Sequence, residues 1–497
     1  MSKKLSFLFI LTFYSLSVFG QSSIIETITE TAEKPEIEMH LHFLASDEMM
    51  GRDTGSPHIK IASRYIAEYL RMHGVTPVPG YDSFFQDVPF IMSTVPDAGQ
   101  LSLGNNNYQF REDFLVIESV PGTVTAPVIF AGHGTESDIN ELDLNGKIVV
   151  TLLGSPDDES RFGWYQNAAA KNLRLSEAGA VAVIELLDNP ANPWPMLGNM
   201  MNRSRMVVNQ TGRSGPGIPH LLLNNLDGSK TNLVQGNTEL VSTLTIEGTP
   251  AKMFNDRNVI GYIEGTDPVL KNEHILLSAH YDHVGVVPGL TEGNYIFNGA
   301  RDNAVGTTAI MMAGKFLAQN RPKRSVIIAA WTAEERGLIG SRWYAENPMI
   351  PLNQTVYNLN IDGAGYNDTT MVTVIGLGRT EADDDLIASA AAFDLRAVPD
   401  PVPQQNLFNR SDNVNFARAG IPAPTYSLGF TAFDDEINKY YHQVTDTPQS
   451  LNFNYITRYV RSYLLASWKV ANSDKAPFWL PGDVYEQAGI DLYGIEE

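Results

Sequence analysis

Ile275-Leu276-Leu277-Ser278-Ala279-His280-Tyr281-Asp282 is an apolar run of strand length that stops at an imidazole and, two residues later, a carboxylate. Runs of the same kind recur downstream. Val326 to Trp331 leads to the pair Glu334-Glu335, Val356 to Ile361 stops at Asp362, and Met371 to Ile375 is a fourth short apolar stretch. Helical patterning falls between several of them, notably over Gly306 to Asn320. This alternation predicts an α/β fold, a mostly parallel mixed sheet flanked by helices. Ligands of such sheets bind beyond the carboxyl ends of the strands. His280, Asp282, Glu334, Glu335 and Asp362 all fall there.

Two further polar residues join this set. Asp302 lies in the segment Asn298-Gly299-Ala300-Arg301-Asp302-Asn303, and His442 follows Tyr440-Tyr441. The 497-residue chain has no cysteine, which removes disulfides, thiolate metal sites and cysteine nucleophiles together. A metal can therefore be held only by Asp, Glu and the ten histidines. Hydrolysing an amide without a covalent nucleophile needs an activated water, which two Zn²⁺ ions about 3.5–4 Å apart can supply. Asp302 is the candidate to bridge them, with His280 and Asp362 completing one site and Glu335 and His442 the other. Asp282 is placed to accept a hydrogen bond from the second nitrogen of His280. Glu334 and Glu335 point in different directions at a strand end, so one can bind metal while the other holds the water. Taken singly, each of these residues has an ordinary explanation as a turn former, a cap or a solvated charge. Their joint placement at strand ends favours a metal site.

The chain is organised around this region. Met1 to Gly20 reads as a signal peptide, with Lys3 and Lys4 ahead of an apolar stretch. Residues 21–119 form the first part of a catalytic domain. A helix there starts at Ser56-Pro57, runs through Ile59, Ala62, Ile66, Tyr69 and Leu70, and stops at Gly74. Residues 120–251 read as a β-rich inserted lobe. Residues 252–472 carry the metal-binding part and end in a helix over Phe453 to Val470, and 473–497 are an unassigned tail. A formal net charge of −22 argues against nucleic-acid binding. No stretch after the leader reaches membrane-spanning length.

The segments Ser278 to Gly285, Asn298 to Gly306, Thr332 to Ser341 and Asn360 to Asp362 resemble the motifs of the M28 family of zinc exopeptidases. Leu44 to Glu48, with Gly51-Arg52 and Gly55-Ser56, is similar to that family's N-terminal region. The resemblance implies two Zn²⁺ per chain: His280 and Asp362 on one, Glu335 and His442 on the other, and Asp302 between them. It implies a metal-bridging hydroxide with Glu334 as general base, Tyr441 as donor to the tetrahedral intermediate, and a cis peptide at Asp302-Asn303. Within 120–251, Gly132-His133-Gly134, Asp143 to Val149 and Ala178 to Ile184 resemble a protease-associated (PA) domain. The stretch around Arg410-Ser411-Asp412-Asn413 departs from the family, which usually has His where Asn413 stands.

The function implied is a secreted or periplasmic aminopeptidase acting on peptides with a free N-terminus. A carboxypeptidase of the same fold would need a cation for a free carboxylate, and Arg301, Arg336 and Arg410 are available. A glutaminyl-cyclase-like enzyme uses one zinc, and a catalytically dead receptor loses ligands; the complete ligand set argues against both. Phe408, Phe430 and Phe433 are candidates for an apolar substrate pocket.

Overall fold

Ser56 starts a helix as its position ahead of Pro57 predicts. Its hydroxyl accepts a hydrogen bond from the Ile59 amide (3.3 Å), and Pro57 occupies a first-turn position where no amide is needed. The helix runs over Pro57–Met72 and ends before Gly74, whose φ of +88° suits glycine. It follows a helix at Lys34–Leu44 (α1) and is termed α2. The computed structural model describes residues 23–156, 163–190, 193–201, 204–209, 217–237 and 239–495. The expected signal peptide over 1–20 lies outside them.

The chain forms two compact units. One runs up to Val88 and resumes at Asp256; the other is Pro89–Asn255. In the first, seven strands are Lys252–Ile263 (β1), His274–His280 (β2), Ser325–Trp331 (β3), Thr355–Ile361 (β4), Met371–Ile375 (β5), Arg396–Pro399 (β6) and Thr425–Leu428 (β7). They lie side by side in the order β6-β5-β7-β4-β2-β3-β1. β2 is parallel to β3 and β4, and β4 is parallel to β7. β1 and β5 are antiparallel to β3 and β7 respectively, so the sheet is mixed. Every residue of β2, β3 and β4 is buried, which is why these strands read as unbroken apolar runs rather than alternating ones.

Helices cover both faces. Val305–Gln319 (α3) and Phe453–Asn472 (α4) share one apolar core with α1 and α2. Each large side chain buried there, such as Phe316 or Leu464, contributes about 1.5–3 kcal/mol. A second core on other strand side chains gathers Trp331, Tyr344, Phe416 and Trp479. Trp479 belongs to the tail left unassigned in sequence. Its indole donates to the Gly420 carbonyl (2.9 Å), and the hydroxyl of Tyr493, from a short helix at Glu486–Tyr493, donates to Thr355 (2.6 Å). The tail is thereby part of the first unit.

The second unit starts earlier than the expected lobe. Ala98–Leu103 pairs with Val241–Glu247, and Phe114–Glu118 pairs with His220–Asn224, so residues before 120 belong to its own sheet. Gly122–Phe130, Ile148–Leu152, Ala182–Leu187 and His220–Asn224 form a parallel centre. Glu185 is fully buried in that centre, 2.7 Å from Lys171 Nζ and 2.9 Å from His220 Nε2. Among the described residues no helix is long and apolar enough to cross a membrane.

Candidate metal centre

β2 delivers His280 at its last residue, and β4 delivers Asp362 one residue past its end. His280 Nε2 lies 3.2 Å from Asp362 Oδ1 and 3.3 Å from Asp302 Oδ1. The other oxygen of Asp302 faces a second imidazole, with His442 Nε2 3.1 Å from Oδ2. The same nitrogen lies 3.1 Å from Glu335 Oε2. Two imidazole–carboxylate sets thus meet at one aspartate, each oxygen of which serves a different set.

The loops that hold these groups are tied together. Asp302 sits in an irregular turn over Ala300–Ala304, and the Asp302-Asn303 peptide is cis. The Asn303 amide donates to the Ile361 carbonyl (2.9 Å), linking this turn to the end of β4. Buried Asp446 accepts from the backbone amides of Arg301 (2.9 Å) and Asp302 (3.3 Å), and from the Arg301 guanidinium (2.9 Å). It connects the Asp302 turn to the loop bearing His442, whose own φ is +53°. Beneath all of this lies Arg52, 1 % exposed, donating to the carbonyls of Leu44, Tyr281, Asn298 and Gly299 at 2.5–3.0 Å.

Asp282 has a different task from the one its spacing suggests. His280 Nδ1 faces the Asp282 backbone carbonyl at 3.2 Å, while the carboxylate stands 3.8 Å away, beyond hydrogen-bond range. That carboxylate instead accepts from the Glu334 and Glu335 amides (3.1 and 3.3 Å) and from the Thr54 hydroxyl (3.3 Å). It holds the turn that separates the two glutamates. Among the residues that sequence reading gave no role, His283 stands out. It is fully buried, with Nδ1 2.7 Å from Glu335 Oε1. Its signal was the second His of His280-Tyr281-Asp282-His283.

The electrostatics separate the carboxylates. Burial raises the Asp302 carboxyl, but hydrogen bonds from His280 and His442 outweigh it and hold the group well below the ordinary range. Burial also raises Glu335, yet the Asp302 repulsion it shares is overcome by His283 and His442, which bring it to about 2. Glu334 has no such partner. Burial pushes it well above the ordinary value, His280 opposes this, and the charges of Asp362, Glu335 and Asp412 add to it. The two adjacent glutamates are therefore shifted in opposite directions, Glu335 down and Glu334 up.

A cleft opens over the site. Glu334, Tyr441 and Arg410 line it together with Phe430 and Phe433. The Arg410 guanidinium donates to the Tyr441 hydroxyl at 3.4 Å, and the Tyr441 ring stacks on His442 at 4.1 Å. Phe408 is absent from the lining; it is buried against Tyr485 and beneath Arg379. Asn413 is also buried away from the lining, donating to the Ala423 carbonyl at 3.1 Å.

A mixed α/β sheet with paired imidazole–carboxylate sets at its strand ends is the framework of a metal-dependent hydrolase. Residues 258–466 match the peptidase family M28 profile. Aminopeptidase YwaD of Bacillus subtilis is 23% identical over 361 residues, covering 71% of this chain and 69% of that protein. The probable glutamate carboxypeptidase AMP1 of Arabidopsis thaliana is 24% identical over 384 residues, 64% of this chain and 51% of its own length. Among solved structures, an aminopeptidase from Aneurinibacillus sp. strain AM-1 superimposes with a TM-score of 0.49 at 21% identity, covering 92% of this chain and 98% of the other.

Proposed function

We propose that this peptidase is an exported aminopeptidase working with two zinc ions, with Glu334 as its general base. The observation that carries the reading is the division of Asp302 between His280 and His442. Two donors of one tetrahedral zinc stand about 3.3 Å apart, given bonds of about 2.0 Å. The separations His280–Asp362, His280–Asp302, His442–Asp302 and His442–Glu335 are 3.1–3.3 Å. The residues present therefore fit one ion held by His280, Asp362 and Asp302, and another held by Asp302, Glu335 and His442. Bound there, zinc would supply Lewis acidity and lower the pKa of water.

The chain's own groups do the rest. Glu334, with its high proton affinity, takes the proton of the attacking water and returns it to the departing amine. The Tyr441 hydroxyl accepts from Arg410, which leaves its O–H free to donate to the developing oxyanion. Phe430 and Phe433 supply an apolar wall for the substrate side chain. Arg301 is engaged by Asp446 and Arg336 by Asp53 (2.5 Å), so of the three arginines only Arg410 lines the cleft. A cleft rich in carboxylates suits a cationic α-amine, and similarity to aminopeptidase YwaD supports that choice. Met1 to Gly20 supports export, and we read the lobe within Pro89–Asn255 as PA-like, restricting access to short peptides.

Peptides free or acetylated at the N-terminus, and free or amidated at the C-terminus, test the direction of attack. Acetylation alone should abolish cleavage; sensitivity to amidation alone would establish a carboxypeptidase instead. Chelation should remove activity and zinc restore it. Glu334→Gln should lower kcat by about 10²–10⁴ with both ions still bound, and activity near wild type would discard Glu334 as the base.

A further inference from the structure

Resting on the two-zinc reading above, we infer that His283 is a positioning residue: its Nδ1–H donates to Glu335 Oε1 and fixes the other oxygen of that carboxylate for metal. His283 lies among four groups whose donor atoms fall within 4.8 Å of one another, with Asp302, Glu335 and His442, so a direct role as ligand has to be weighed. Distances decide between the two. The pairs assigned above as co-ligands are 3.1–3.3 Å apart, close to the edge of a zinc tetrahedron. His283 Nδ1 is 2.7 Å from Glu335 Oε1, the length of a charge-assisted hydrogen bond and too short for two donors of one ion. Its distance to Asp302 Oδ2 is 3.9 Å, too long for the same arrangement.

The tautomer follows from burial. His283 Nε2 is buried with no hydrogen-bond partner. A bare lone pair there costs less than an orphaned N–H, so the proton belongs on Nδ1, facing Glu335. The seat of the ring is built for it. Gly299 has φ of +59°, and a Cβ there would stand 2.5 Å from His283 Cδ2. The His283 amide donates to the Arg52 carbonyl at 3.3 Å, anchoring the residue from the backbone side. Glu335 then has one oxygen held by His283 and the other 3.1 Å from His442. Outer partners of this kind usually contribute 10–100-fold to metal affinity, about what a freely rotating carboxylate would lose.

Asparagine and glutamine separate the roles of the two ring nitrogens, since the Asn amide reaches roughly where Nδ1 lies and the Gln amide where Nε2 lies. The full chain, stripped of metal and titrated with zinc against a chelating indicator, gives both affinities and the stoichiometry. Circular dichroism and thermal unfolding of the metal-free forms show whether each variant is folded. His283→Asn should keep the weaker-bound ion within about threefold of wild type, and His283→Gln should weaken one ion about 10- to 100-fold while both ions still bind at saturation. Equal affinities in the two variants and wild type would overturn the inference. So would saturation of both variants at one ion, which would make His283 a ligand. A wild-type chain that binds fewer than two zinc ions would overturn the metal reading itself, and this inference with it.

Discussion

Arg52 places a full positive charge in the interior with only carbonyl oxygens as hydrogen-bond partners. It joins Leu44, Tyr281, Asn298 and Gly299, so one side chain spans the end of α1, the end of β2 and the approach to Asp302. Burial lowers its pKa to about 10, with Asp282, Asp302, Asp446 and Glu335 opposing the shift, and it remains charged at neutral pH. Arg52→Met should cost at least about 3 kcal/mol, because hydrogen bonds to a charged donor contribute about 1.5–3 kcal/mol each and the four carbonyls would be stranded. Denaturant midpoints of the two proteins measure this, and a difference under 1 kcal/mol would refute it. At this scale the sequence discloses the inner ring better than its support. His280, Glu335 and Asp362 are readable because they close apolar strands. The supporting roles of Asp446 and Arg52 are not, since most of their partners are backbone groups 144–145 and 229–247 positions away, which carry no side-chain signature.

The strands show the complementary case. β2, β3 and β4 are legible because burial on both faces forces continuous apolar runs, and α2 because Ser56, Pro57 and Gly74 mark its ends. β1, β6 and β7 escape notice; β6 is short and β1 mixes buried and exposed residues. Within the Pro89–Asn255 unit, Ala182–Leu187 is a fully buried strand despite the glutamate inside it. The structure supplies the reason: Lys171 and His220 meet both oxygens of Glu185. Burial raises that carboxyl, but Lys171 and His220 outweigh burial and bring it from 4.5 to about 2. The folded unit therefore holds its proton less tightly than the unfolded chain does, and protonation favours unfolding. The stability this group supplies is complete above about pH 4.5, shrinks as the pH falls, and is gone near pH 2. Wild type should exceed Glu185→Gln in urea resistance at pH 7, with the gap closing between pH 4.5 and 3. A gap constant over that range would contradict this.

On the scale of the whole molecule, the first unit is made of two sequence segments, up to Val88 and from Asp256. Their ends meet in its sheet, where the Ile260 amide donates to Phe84 (2.6 Å) and Asn258 to Gln86 (2.9 Å). Replacing 89–255 by a short Gly-Ser linker should leave a folded unit that still binds zinc, as chain segments entering and leaving at neighbouring strands tolerate exchange of what lies between. Zinc titration and thermal unfolding check this. A peptide length series on the same protein should show longer substrates accepted, and an unchanged size preference would remove the access role from the inserted lobe.

The same division sets the order of events during synthesis. Lys34 on α1 donates to Asn454 on α4, 420 positions later, and Arg461 donates to the carbonyls of Ala32 and Thr29. Part of the packing around α1 thus closes only when the last long helix emerges from the ribosome, after His442, although α3 already supplies Lys315 to Thr31 and Glu36. Long-range closures of this kind are formed late. A nascent chain therefore cannot assemble the complete first unit, His442 included, until translation is nearly complete.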